Sequence, residues 1–74
     1  MDERILIIED DEEIQRLLKR ALTYQGYIVD TALSGKAGLK LASEQRPDLV
    51  ILDLMLPGMD GMELCRKLQK IGKQ

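Results

Sequence analysis

The 74 residues include no histidine, tryptophan or phenylalanine, and one cysteine, Cys65. The missing imidazole excludes histidine-based acid–base catalysis, Ser-His-Asp triads and zinc fingers. A lone cysteine allows no intrachain disulfide. Aromatic rings are confined to Tyr24 and Tyr27, too few for a platform that stacks single-stranded bases. There is no excess of positive charge. Eleven Lys+Arg stand against 13 Asp+Glu, for a net charge of −2 and a pI near 5.0. That balance argues against direct binding to a phosphate backbone. No apolar run approaches the ~20 residues of a membrane span. The opening charges Asp2, Glu3 and Arg4 do not read as a signal peptide. The expectation is a single small cytoplasmic domain with no direct nucleic-acid or membrane partner.

Apolar residues are plentiful. Leu, Ile and Val supply 22 of the 74 residues, too many for a disordered chain. Their spacing alternates between two patterns. Ile5 to Ile8 is a continuous, mostly β-branched run, as expected of a strand over 4–8 buried on both faces. Ile14, Leu17, Leu18, Ala21 and Leu22 recur at helical spacing, predicting a helix over 12–25 that ends at Gly26. A second strand is expected over 27–31. Ser34 is placed to cap a helix over 35–45, with Leu39 and Ala42 on its core face and Leu41 off it. Gly38 costs that helix ~1 kcal/mol relative to Ala, and Pro47 prevents its continuation. Leu49 to Leu52 begins a third buried strand, over 49–53. Pro57-Gly58 marks a loop. Asp60 and Glu63 have the spacing of an N-cap and its N3 partner for a helix over 61–71, whose inward face carries Leu64, Cys65, Leu68 and Ile71.

The order βαβαβα predicts an α/β fold with a parallel sheet and right-handed crossovers. Ligands bind such sheets beyond the carboxyl ends of the strands, where strand order reverses. If the first and third strands are neighbours, the acids after the first and Asp53 after the third converge at that point. Neighbouring carboxylates raise one another's pKa, and a hard cation reverses that effect. All-oxygen ligation suits Mg²⁺, with Mn²⁺ as an alternative. A carboxylate beside such an ion suits phosphoryl transfer, as the nucleophile. Glu12 and Glu13 also read as helix-start acids that complement the dipole, and Asp11 fits either role. Asp53 is different. It follows four apolar strand residues, where a carboxylate is unfavourable unless paired or used.

The segments RILIIEDDEEI, from Arg4, and PDLVILDLMLPGMDGMEL, from Pro47, together resemble the receiver domain of two-component response regulators. The likeness is to the OmpR/PhoB type of transcription factor, and it covers residues 3 to 71. It implies a CheY-like, flavodoxin-like fold whose first three strands lie in the order 2-1-3. It implies Asp53 as the aspartate phosphorylated by a histidine kinase, and Glu9 and Asp10 as the acidic pair that holds Mg²⁺. The backbone carbonyl of Met55 would be a further metal ligand, while Pro57 and Gly58 would shape the loop. The domain so implied is a signalling module rather than an enzyme.

A receiver of that family has five βα units, and three are present here. The expectation is therefore a truncated domain without the Ser/Thr and Lys that follow the fourth and fifth strands. The third strand then becomes an edge, which predicts self-association through that edge or through helix faces. Two functions stay open on this reading. One is a phosphoacceptor module built on Asp53. The other is a non-signalling half-domain that serves as a self-associating folding or assembly unit. Met55 stands where a haloacid-dehalogenase-like phosphatase needs a second acid, which disfavours that third class. Methionines near a loop read as gap-fillers, and Cys65 as a buried small hydrophobe.

Overall fold

The computed structural model describes residues 3–53, 58 and 60–72. The elements are β1 (Arg4–Ile8), α1 (Glu12–Tyr24), β2 (Ile28–Ala32), α2 (Gly35–Gln45), β3 (Leu49–Leu52) and α3 (Gly61–Gly72). All strand pairing is parallel, in the order β2-β1-β3. β1 is central, which is why Ile5, Leu6, Ile7 and Ile8 are all buried. Side chains alternate across a sheet. Leu6 and Ile8 face one layer with Ala32, Ala42 and Leu64, and Leu39, Leu41, Val50, Leu52, Leu68 and Ile71 pack around them. Ile5 and Ile7 point to the opposite face, where α1 lies against β1 and β2.

Boundaries depart from the sequence expectation by a residue, for visible reasons. The end of α1 is a Schellman motif. Gly26, at φ +101°, donates its N–H to the Thr23 carbonyl at 3.0 Å. Tyr27 donates to the Leu22 carbonyl at 3.2 Å. The Tyr27 amide thus belongs to the helix cap, so β2 begins at Ile28 and runs on to Ala32, opposite Ile8. Asp53 lies just past β3, yet its N–H still donates to the Ile8 carbonyl at 3.1 Å.

Two packing expectations, for Leu41 and Cys65, are corrected. Leu41 is not off the core: α2 contacts β1, β2 and α3, so both Leu39 and Leu41 find apolar partners. In α1 no residue is fully buried. Gln15, Leu18 and Leu22 form its half-buried line, while Ile14 and Leu17 are 45% and 66% exposed. Cys65 is half-buried rather than buried. At the amino ends of the strands, Arg4 ties three elements together. Its Nη1 lies 3.0 Å from both Asp30 Oδ2 and Gln45 Oε1, and its backbone N–H donates to Asp48 Oδ2 at 2.8 Å. Among the described residues no helix is long and apolar enough to cross a membrane.

Candidate functional site

Strand register builds the site. Ile8 of β1 pairs with Leu52 of β3, so the next residues, Glu9 and Asp53, leave the sheet side by side at its carboxyl edge. Asp10 follows Glu9. One carboxylate oxygen from each of Glu9, Asp10 and Asp53 can be chosen so that all three lie within 4.8 Å of one another. Glu9 and Asp53 are half-buried, and Asp10 is exposed.

Each acid has a local reason for its place. The Glu9 N–H donates to the Ala32 carbonyl at 3.0 Å, anchoring the turn to β2. The Asp11 N–H donates to Glu9 Oε2 at 3.0 Å. That bond lowers the Glu9 pKa, but partial desolvation, the nearby Asp53 charge, and the hydrogen bond and charge of Asp10 together outweigh it. The net result is a Glu9 carboxyl raised above its ordinary value, as expected where like charges converge. Three carboxylate oxygens with neither imidazole nor thiolate form a donor set that fits Mg²⁺ or Mn²⁺.

Other sequence candidates lie apart from this cluster. Asp11 is the N-cap of α1, and its Oδ1 accepts from the N–H groups of Glu13 at 2.9 Å and Ile14 at 3.2 Å. Glu12 and Glu13 occupy the first helical turn. Asp60 caps α3, accepting from the Met62 N–H at 3.1 Å, and Glu63 pairs with Lys67 at 3.7 Å. Met55 and Pro57 lie outside the described residues; Gly58 is exposed, with φ +83°.

Sequence reasoning missed one residue beside the site. Gln15 Nε2 donates to the Glu9 carbonyl at 3.2 Å and to the Ala32 carbonyl at 3.0 Å. Its only signal was its spacing. Gln15 stands three and seven residues before Leu18 and Leu22, so a polar group faces the sheet from an otherwise apolar line.

Comparison with known proteins agrees with this fold. The response regulator receiver domain profile matches residues 5–74. The transcriptional regulatory protein AfsQ1 of Streptomyces coelicolor is 56% identical over 66 residues, covering 89% of this chain and 29% of that protein. Response regulator MprA of Mycolicibacterium vanbaalenii is 43% identical over 72 residues, covering 97% and 31%. The chain thus spans about three-tenths of the length of these relatives. Among solved structures, a CheY-like receiver domain protein from Methanospirillum hungatei superposes with a TM-score of 0.92 at 35% identity, covering 96% of this chain and 57% of that one. The response regulator TrrA of Thermotoga maritima, solved in complex with Mg²⁺-BeF, gives a TM-score of 0.86 at 41% identity, covering 92% and 59%. With residues 5–74 matched by the family profile, the chain belongs to the response regulator receiver domain family.

Proposed function

We propose that the chain is a phosphoacceptor module in which Asp53 takes up the phosphoryl group and Glu9, Asp10 and Asp53 hold Mg²⁺, with the Met55 backbone carbonyl as a further ligand. The convergence of those three carboxylates at one sheet edge carries the reading. It is supported by TrrA, which was solved with Mg²⁺ and a beryllofluoride group. Mg²⁺ would supply neutralisation of phosphoryl oxygens as charge builds on them.

The rest is the work of the chain. Asp53 is held at the end of β3 by its N–H bond to Ile8, with Glu9 fixed beside it. One Asp53 carboxylate oxygen attacks the phosphorus of the donor. The new O–P bond makes an acyl phosphate, and the bond from phosphorus to the donor's leaving atom breaks. The leaving group departs with the bonding electron pair: acetyl phosphate releases acetate, and a phosphohistidine releases its imidazole nitrogen, which takes any proton it needs from solvent.

The partner implied is a histidine kinase whose phosphohistidine is the donor, and the setting is the cytoplasm. The named relatives support reading the domain as the input half of a transcription regulator. The test is Mg²⁺-dependent phosphoryl uptake from acetyl phosphate, read by intact mass and abolished in Asp53→Asn.

A second reading, self-association, is favoured by Leu49, which is 55% exposed on the outermost strand of the described sheet. Light scattering across a concentration series tests it. A mass that stays monomeric throughout overturns it.

A further inference from the structure

We propose that Gln15 is a positioning residue for the cation site, clamping the Glu9–Asp10 peptide without touching the ion. The inference rests on reading Glu9, Asp10 and Asp53 as that site.

A peptide unit is planar and carries the Cα atoms of both its residues. The carbonyl of Glu9 belongs to the unit that joins Glu9 to Asp10. Whatever fixes that carbonyl fixes where both acids begin. Gln15 Nε2 donates to it at 3.2 Å and to the Ala32 carbonyl at 3.0 Å. Two carbonyl partners require the NH₂ end of the amide there. The Ala32 carbonyl also accepts the Glu9 N–H at 3.0 Å, and Ala32 is buried opposite Ile8. Glu9 is therefore held on both its backbone groups, by the rigid end of β2 and by a side chain of α1.

The consequence is mechanical. Three carboxylates with oxygens within 4.8 Å of one another repel in the absence of a cation. A free turn would swing its acids apart, and the ion would have to draw them back on binding. A clamped turn keeps them together beforehand, so less binding free energy goes into ordering. Supporting residues of this kind typically change metal affinity by ~10–100-fold when lost. The same amide also docks α1 on the sheet, so the test must separate positioning from stability.

Mg²⁺ is titrated into the full chain and into Gln15→Met and Gln15→Arg, following the backbone amide shifts of Glu9, Asp10 and Asp53. Urea unfolding of each protein in EDTA runs in parallel. Gln15→Met keeps the shape and removes the donors, and its Mg²⁺ dissociation constant is expected to rise about 10-fold. Gln15→Arg restores N–H donors and recovers most of the affinity. Gln15→Asn, too short to span both carbonyls, shows the same weakening and takes the place of the Met variant if that variant loses its fold. A Met or Asn variant that falls in stability but binds Mg²⁺ as tightly as the wild type overturns the inference and leaves the cation site standing. A wild-type chain that shows no shift at those amides removes the cation site, and this inference with it.

Discussion

Gly38 of α2 lies directly against Ile8 of β1. A Cβ added at Gly38 would meet the Ile8 side chain, with Cγ1 2.7 Å away, closer than real carbon atoms approach. The cost that glycine imposes on the middle of a helix is offset here by how closely the helix reaches the central strand. Gly38→Ala is therefore expected to destabilise the chain by about 1–2 kcal/mol, because overpacking outweighs the ~1 kcal/mol gain in helix propensity. Urea unfolding measures this. Ile8→Ala removes the Cγ1 and Cδ1 atoms that collide, so the double variant should lose less than the sum of the two single losses. An additive result would mean that the contact is not the cause.

Gly26 gives the complementary case. Nothing lies within 4 Å of a Cβ built there, yet φ is +101°. Gly26→Ala is expected to cost about 1–2 kcal/mol from backbone strain alone, with no change in Mg²⁺ binding. Equal stability of the Ala and wild-type proteins in thermal melts would contradict the cap geometry.

Asp11 separates helix capping from metal ligation. Its carboxylate caps α1, so Asp11→Ala should lower stability by about 1 kcal/mol. Asp11→Asn keeps an oxygen acceptor and should stay within a few tenths of a kcal/mol of wild type. In calorimetric titrations, both should bind Mg²⁺ far more tightly than Asp53→Asn. If Asp11→Asn weakens binding as much as Asp53→Asn, Asp11 is a ligand as well.

Removing a charge at the site should act in opposite directions with and without the ion. Glu9→Gln relieves repulsion by Asp53 and Asp10. The metal-free variant should melt at or above the wild-type temperature. Adding Mg²⁺ should raise the wild-type melting temperature, by linkage to the folded state, and raise the variant's much less. A variant that gains as much as the wild type would place the ion elsewhere.

The order of elements was readable from the chain because it rests on local pattern, whereas the strand order that brings the acids together was implied by the family resemblance. The run Ile5 to Ile8 announces a central strand, and Asp53 after Leu49 to Leu52 announces a carboxylate at a strand end. Register then does the rest, since Ile8 beside Leu52 brings Glu9 beside Asp53. What escaped depends on long-range contacts. Gln15 gains its role from carbonyls that β1 and β2 present together. Arg4 gains its role from Asp30, Gln45 and Asp48, which come near only after folding. Periodicity counts apolar residues, so it passed over a glutamine that satisfies two carbonyls of the sheet.

The proposed acceptance of a phosphoryl group by Asp53, with the help of Glu9 and Asp10, can be read by mass. The most direct measurement is intact mass after incubation with acetyl phosphate, with Mg²⁺ or with EDTA, for wild type, Asp53→Asn and the Glu9→Gln/Asp10→Asn double variant. One phosphoryl group is expected on the wild type with Mg²⁺, little with EDTA or in the double variant, and none on Asp53→Asn. A folded wild-type chain that gains no mass, or an Asp53→Asn chain that gains as much as the wild type, would contradict the proposal.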